Sequence, residues 1–377
     1  MNFRLQAFSC LVGLALGVSA CSSDGSAAAG GKKTVTRTTL ADSEFQPSDL
    51  EKTVNTLVTK IGQTAPVDMQ IGVTLKQLNT YFLPIQIGAS RAISELNLSG
   101  QVVAPQSSAG NDAVVEENDI MNQQLSSGYN GIAVAPFEVG NQPPIDSAAD
   151  SDVPVVTIDS DLASSKRDLY MGTMNSEAGK TAGTTLTSLI TVNSGTVILL
   201  GHDDAGWPDG FDRTNGAKAV LEGAGFTVVV RRTDWSETGE AADVDFMKDA
   251  ITNADPPVVG MMGMFSDAYR CAIAAEAVGK TADDIAIAAF DFEPKTVEFM
   301  RSGMIKATHA QRQYYMGYLT PYVLYGFKAL GKEATKAILA PQMVDNYRFN
   351  TGLDVIPADK LDSYYSYLDK LGIGNSQ

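Results

Sequence analysis

Apolar and polar positions between residues 69 and 311 form two alternating kinds of run. Short, nearly continuous apolar runs rich in Val, Ile and Ala predict strands: 69–74, 101–106, 131–136, 153–159, 195–201, 226–232, 258–264, 285–291 and 305–311. Longer stretches between most of them, such as 112–128 and 239–255, have helical spacing. Strands alternating with helices predict βαβ units, an α/β fold and a mostly parallel sheet. Continuous apolar strands indicate that both sheet faces are covered.

The carboxyl ends of parallel strands form the edge of a sheet where ligands bind. The residues that follow the predicted strands here are rings, carboxylates and amides: Asn79, Tyr81, Phe82, Asp159, Asp161, Asp234, Trp235, Phe265, Asp267, Asp291 and Gln311. A sugar ring offers apolar C–H faces for stacking and hydroxyls for polar partners. The pattern therefore predicts a small-molecule site for which a sugar is a good match. Trp207, in a glycine-rich loop, faces the same edge, and its role stays open.

The composition and the net charge exclude some classes of function. The 377 residues allow two lobes, and 44% hydrophobic with 19% charged residues is an ordinary globular composition. The net charge of −16 repels phosphate backbones, which excludes nucleic acid as an expected partner. His202 and His309 are the two histidines, so a histidine-based zinc site is not expected, and no metal or cofactor is predicted. Cys271 is the one cysteine outside the N-terminal segment and is expected to be a core residue.

The N-terminal segment has a basic residue, Arg4, then a short apolar run and small residues. This is the layout of a secretion signal. The sequence Val18-Ser19-Ala20-Cys21 resembles the lipobox of bacterial lipoproteins, which implies a signal peptide over 1–20 and lipidation of Cys21. Residues 21–65 are predicted to be a flexible tether, with a short amphipathic helix over 48–62. The alternative is an ordinary signal peptide cleaved nearby.

The chain from about 69 to 356 resembles the periplasmic sugar-binding proteins of the ribose-binding type, which serve ABC importers. The matching stretches are NTYF (79–82), VPVVTIDSD (153–161), DRTNGAKAV (212–220), AAFDFEP (288–294) and KATHAQ (306–311). The resemblance implies two Rossmann-like lobes joined by three hinge crossovers. The expected N-terminal lobe is 66–174 plus 309–343, and the expected C-terminal lobe is 175–308 plus 344–377.

The resemblance also implies ligand contacts at Asn79, Tyr81, Phe82, Asp159, Arg213, Trp235, Asp291 and Gln311. Ala135, Ser160 and Phe265 stand where ribose binders have Asn, Arg and Asn, so ribose itself is not predicted, although Phe265 is kept as a site residue. Each residue also has a structural alternative. Tyr81 and Phe82 are possible core plugs, Asp159 and Asp291 possible helix caps, Arg213 a possible solvated residue and Trp235 a possible surface ring.

These observations predict a non-catalytic, monomeric binding lipoprotein of the periplasm or cell surface. It would capture a monosaccharide or polyol and deliver it to an ABC-type permease, with the lipid on Cys21 anchoring it to the membrane. One alternative is a sensor that presents its ligand to a membrane receptor or histidine kinase. A secreted hydrolase is disfavoured, because the sequence contains no G-x-S-x-G nucleophile elbow. Gly179-Lys180-Thr181 lacks the upstream glycine of a P-loop.

Overall fold

The computed structural model describes residues 31–40 and 42–374; Cys21 and the predicted signal peptide lie outside them. Its strands are β1 (Gln70–Thr74), β2 (Ser99–Val103), β3 (Gly131–Val134), β4 (Val155–Ile158), β5 (Leu169–Gly172), β6 (Thr196–Gly201), β7 (Thr227–Arg232), β8 (Val258–Gly263), β9 (Ala286–Ala288), β10 (Ala307–Gln311), β11 (Arg348–Asn350) and β12 (Leu353–Pro357). Its α-helices are α1 (Ser48–Ile61), α2 (Leu83–Glu95), α3 (Gly110–Ser126), α4 (Gln142–Asp150), α5 (Asn175–Leu189), α6 (Pro208–Gly223), α7 (Gly239–Asn253), α8 (Tyr269–Ala277), α9 (Pro294–Arg301), α10 (Gln313–Ala329), α11 (Lys332–Leu339) and α12 (Leu361–Leu371).

The strands form two six-stranded sheets, one in each lobe. The first has the order β11-β5-β4-β3-β1-β2, and all of its neighbouring strands are parallel. The second has the order β12-β10-β9-β8-β6-β7, in which β12 runs antiparallel to β10. β3, β4 and β5 are buried along their whole length, as expected for strands covered on both faces. The predicted α/β fold with two parallel-sheet lobes is confirmed.

Within the described residues, the backbone crosses between the two sheets three times. The crossings are residues 173–174 after β5, Arg312 after β10 and residues 351–352 after β11. The lobe boundaries differ from the expected ones, because β10 belongs to the second sheet although residues 309–311 were assigned to the N-terminal lobe. β11 pairs with β5 in the first sheet although it was assigned to the C-terminal lobe. The sheet to which a short strand belongs depends on the strand that it pairs with, and the hydrophobic pattern of the sequence does not reveal that pairing.

The segment from Lys33 to Ile61 packs on the first lobe. The predicted amphipathic helix forms as α1, and its Leu50, Val54, Leu57 and Ile61 are buried in the core. Ahead of it, the Arg37 side chain donates to the Tyr318 hydroxyl of α10 at 3.1 Å. The flexible tether expected to reach residue 65 is therefore wrong for this segment, because the apolar face of α1 is buried on folding.

Closely packed helix pairs flank both sheets. In the first lobe a Cβ added at Gly317 of α10 would lie 2.0 Å from the Ile85 carbonyl oxygen of α2. In the second lobe a Cβ added at Gly216 of α6 would lie 2.3 Å from the Ser176 carbonyl oxygen of α5. Only glycine permits backbones to approach this closely. The α5–α6 contact matters for function, because both helices begin at the cleft between the lobes.

Candidate ligand site between the lobes

Four of the predicted site residues form one chain of hydrogen bonds that crosses from lobe to lobe. Tyr81 follows β1, and its hydroxyl donates to Asp159 Oδ1, after β4, at 2.7 Å. Gln311, the last residue of β10, donates from Nε2 to the Tyr81 hydroxyl at 2.8 Å. The same nitrogen lies 3.0 Å from Asp291 Oδ1, after β9. We call these four residues the polar network.

The two aspartates of the polar network share an uncommon backbone conformation. Asp159 and Asp291 both have φ of 66°, in the left-handed region that Asp and Asn tolerate better than other non-glycine residues. Neither caps a helix: α9 is capped by the Glu293 side chain, which accepts from the Lys295 and Thr296 amides, and Asp159 leads into a loop before β5. Each lobe thus ends a central strand in the same way and turns a carboxylate to the interface.

Burial and neighbouring charges shift the pKa values of two members of the polar network, Tyr81 and Asp291. Burial, reinforced by the Asp159 and Asp291 carboxylates, raises the pKa of Tyr81 well above its ordinary value. Tyr81 therefore stays protonated and remains a hydrogen-bond donor. Burial also raises the pKa of Asp291, although Arg213 and the Gln311 amide oppose the shift.

Arg213 lies on α6 and is 5% exposed, so it is not a solvated surface residue. Its Nε and Nη2 donate to Asn175 Oδ1 at 3.0 and 2.7 Å, and its Nη1 donates to the Met264 carbonyl at 3.0 Å. The guanidinium carbon lies 4.0 Å from the centre of the Phe290 ring and 5.3 Å from that of Phe265. Rings and neutral oxygens thus hold a buried cation in a fixed orientation.

Rings on the second lobe form an aromatic cluster of Trp207, Trp235, Phe265 and His202. Trp207 stacks on Phe265 with ring centres 5.0 Å apart, and Trp235 meets Phe265 edge-on at 5.4 Å. His202 stacks on Trp235 at 6.0 Å. Trp235 keeps 53% of its surface exposed, which leaves a ring face available to a ligand. The structure thus places Trp207 beside the predicted site residues Trp235 and Phe265.

Phe82 and Asn79 support the site from outside the polar network. Phe82 is 6% exposed and belongs to the core of the first lobe, where its ring meets Tyr81 edge-on at 5.0 Å. Asn79 is exposed, and its Oδ1 accepts from the Phe82 amide at 3.1 Å. Its Nδ2 donates to Gln77 Oε1 at 2.7 Å. In this structure both residues therefore shape the turn that presents Tyr81.

Three polar residues beside the network were missed as site residues. Lys76 Nζ donates to Ser160 Oγ at 2.5 Å and lies 3.8 Å from Asp159 Oδ2, so it supplies a cation near the position where ribose binders have arginine. Burial raises the pKa of Asp209, at the start of α6, to about 6, although the nearby Lys76, Arg213 and Ser160 oppose the shift. Asn175 donates to Asp209 Oδ1 at 3.0 Å. Lys76 follows a strand, so the expectation that ligands bind at the carboxyl ends of strands could have identified it.

The described part of the chain contains no group of three or more His, Cys, Asp or Glu side chains arranged to hold a metal ion. Cys271 is buried, and burial raises the pKa of its thiol. None of the helices in residues 31–40 and 42–374 is both long and apolar enough to cross a membrane. The side chains of the cleft can hydrogen-bond polar groups and stack on apolar ring faces.

Comparison with known proteins identifies the family. A model of the periplasmic binding protein domain matches residues 71–333, well over half of the chain. The chain belongs to the periplasmic binding protein domain family. A search of curated proteins gave no match. The fold is the type I periplasmic binding protein fold, with two lobes.

Solved structures agree with this assignment. A sugar-binding protein of a sugar ABC transporter from Bacillus halodurans superposes with a TM-score of 0.65 at 21% identity, covering 79% of this chain and 100% of that one. AraP, an arabinose-binding protein from Geobacillus stearothermophilus, gives 0.65 at 21% identity, covering 80% and 100%. A solute-binding protein from Burkholderia graminis in complex with D-arabinose gives 0.61 at 25% identity, covering 79% and 98%.

Proposed function

We propose that this protein captures a monosaccharide or related polyol between its lobes and delivers it to an ABC-type import permease. The observation on which this rests is the polar network, which joins Tyr81 and Asp159 of one lobe to Gln311 and Asp291 of the other. Similarity to the arabinose and other sugar-binding proteins supports a sugar as the ligand. The protein has no catalytic role in this proposal.

A sugar would replace the bonds that the network residues make with one another. Its hydroxyls would donate to the Asp159 and Asp291 carboxylates and would accept from Gln311 and Arg213. Trp235 would stack on an apolar face of the ring. Since each lobe provides one strand-end aspartate, a bound sugar would join the lobes and favour their closed arrangement, which is how hinge-bending proteins couple binding to closure.

Several parts of the proposal concern the rest of the molecule. The lipobox resemblance supports lipidation of Cys21 and anchoring in the periplasm or at the cell surface. Several acyl chains on one residue give stable membrane attachment, whereas one chain gives only marginal attachment. Lobe surfaces outside the cleft would then contact the permease, and one protein molecule would act alone.

A thermal-shift screen tests the ligand class. Residues 32–377, which form one compact unit, would be screened against pentoses, hexoses, deoxy sugars, inositols and sugar alcohols. A ligand that binds only the folded state raises the unfolding midpoint by mass action. We expect a clear shift with one sugar class and none in Asp159→Ala and Asp291→Ala variants that still fold. No shift across the panel from well-folded protein would refute the sugar proposal.

Gene deletion separates transport from sensing. For the transport proposal, loss of the protein abolishes uptake of the sugar found in the screen. For the sensor alternative, uptake continues when the permease is expressed from a constitutive promoter, and only the transcriptional response to the sugar is lost.

A further inference from the structure

A groove between the lobes adjoins the polar network through Ser160, which follows Asp159, and through Asn175, which holds Arg213. One wall comes from the first lobe, from the loops 136–139 after β3 and 160–164 after β4. The other wall comes from the second lobe, from the first residues of α5 and from residues 206–209 at the start of α6. At its inner end lie Ser160, Asn175 and Asp209, the same side chains that adjoin Asp159 and Arg213.

The groove repeats the chemistry of the inner site. Phe137 lines one wall and Trp207 lines the other, and Val139 beside Phe137 is 66% exposed. Polar groups accompany them: the Glu138 and Asp212 carboxylates and the Ser164 hydroxyl also line the groove. Apolar rings with a few carboxylates and hydroxyls around them are suited to a second sugar ring or to an apolar group joined to a sugar.

The groove is not a gap left by separated lobes. The lobes already touch beside the groove, through the Gln311–Tyr81 hydrogen bond at 2.8 Å. The groove is open although the lobes are in contact. Its open space therefore comes from the shapes of the two walls. A monosaccharide that occupied the position of the polar network would leave this space to water.

Buried side chains hold the backbone of Phe137 in place. Its amide donates to Asn141 Oδ1 at 3.0 Å and to Glu117 Oε2 at 3.3 Å, and both of those residues are fully buried. On the other wall Trp207 is held by its stacking on Phe265. The Phe137 backbone and the Trp207 ring are therefore held in place before a ligand arrives, which reduces the entropy cost of binding.

We propose that this groove is a second subsite, continuous with the first, and that the preferred ligand is a disaccharide or a glycoside whose second ring or apolar aglycone lies against Phe137 and Trp207. The inference rests on the proposed function, because the first ring would occupy the polar network.

Calorimetry on the full-length chain in detergent tests the subsite. The probes are D-xylose with xylobiose, D-glucose with cellobiose and maltose, D-arabinose, and the methyl and phenyl glycosides of each monosaccharide. We expect one disaccharide or phenyl glycoside to bind about three- to tenfold more tightly than its monosaccharide or methyl glycoside, the range that one aromatic contact provides. Phe137→Ser should abolish that difference and leave the monosaccharide Kd unchanged. Val115→Ser, at an exposed position of α3 outside the groove, is the control.

The outcomes distinguish the two proposals. Monosaccharide binding without any gain from a second ring overturns the subsite and leaves the proposed function intact. Absence of binding by every probe, together with no thermal shift across the sugar and polyol panel, overturns the proposed function. Equal weakening of monosaccharide and disaccharide by Phe137→Ser also overturns the subsite, because Phe137 would then act on the cleft as a whole.

Discussion

The two faces of the cleft hold their cations in different ways. On the first lobe Lys76 is joined to Ser160 and lies 3.8 Å from the Asp159 carboxylate, so its charge is balanced locally. On the second lobe Arg213 is held by an amide oxygen, a peptide carbonyl and two aromatic rings. A guanidinium bound by neutral groups keeps more of its charge for a ligand oxygen. The first lobe therefore offers a balanced polar face, and the second offers a cationic and aromatic face.

One feature is common to both faces. Asp159 and Asp291 end central strands with the same φ of 66°. In the proposed function the two aspartates hold hydroxyls on both lobes, whereas the rings and the guanidinium held by neutral groups are particular to the second lobe. Breaking a shared aspartate should therefore have a larger effect than removing a ring from one face.

The largest effect is expected from Asp159→Asn, which replaces the carboxylate of the first lobe by a weaker acceptor. Loss of a buried, charge-assisted hydrogen bond costs about 2–5 kcal/mol of binding free energy. Calorimetric titration with the sugar found in the screen should show this loss. Asp119→Asn, at an exposed position on α3, is the matched control. If Asp159→Asn folds and binds the sugar as tightly as the wild type, Asp159 does not contact the ligand.

A second prediction concerns Asp209, whose pKa is raised by burial to about 6. The unfolded carboxyl has a pKa near 3.9, so the folded state binds protons more tightly. The contribution of Asp209 to the free energy of unfolding should therefore be largest below about pH 4, fall as the pH rises to about 6 and then level off. Because Asp209 is only partly buried, solvent screening limits this change to about 2 kcal/mol.

Urea unfolding from pH 3.5 to 7.5 measures this contribution. Asp209→Asn should remove it and should raise the free energy of unfolding at pH 7. Asp212→Asn, exposed on the same helix, should leave the pH profile unchanged. Identical pH profiles of the free energy of unfolding for wild type and Asp209→Asn would show that ionisation of the Asp209 carboxyl does not destabilise the folded protein.

Much of the polar network was predictable, and the reasons are local. Apolar runs mark where β1, β4 and β9 end, and Tyr81, Asp159 and Asp291 lie in the loops that follow those ends. Asp209 was not predicted because it begins a helix, a place where aspartate is common as a helix-terminal residue. Its contact with Ser160 arises only when the two lobes meet.

The missed elements have a related explanation. β5 and β11 lie outside the predicted apolar runs, and they are strands because β11 pairs with β5 and β5 pairs with β4. The segment around Arg37 is polar in sequence, yet it contacts Tyr318 of α10, 281 positions away. Such long-range partners follow from the tertiary fold, which a pattern read along the chain does not contain.

A third prediction tests how the second lobe positions Arg213 and Asp209. Gly216→Ala places a Cβ 2.3 Å from the Ser176 carbonyl oxygen, which forces α5 and α6 apart. Overpacking of this kind destabilises a protein by about 1–3 kcal/mol, and binding should weaken as α6 shifts. Gly223→Ala on the same helix has open space and should be neutral or slightly stabilising. Equal stability of the two variants would contradict the close helix contact.

The smallest effect is expected from Trp235→Ala, because this ring belongs to one face only and its surface is already 53% exposed. Removing a stacking ring should weaken sugar binding by about 0.5–1.5 kcal/mol and leave the unfolding midpoint nearly unchanged. Tyr347→Ala, at a residue that is 54% exposed, is the matched control. A loss as large as that of Asp159→Asn would mean that the aromatic face dominates recognition. No loss at all would mean that Trp235 is a surface ring, and Trp207 and Phe265 would remain as the stacking residues of the second lobe.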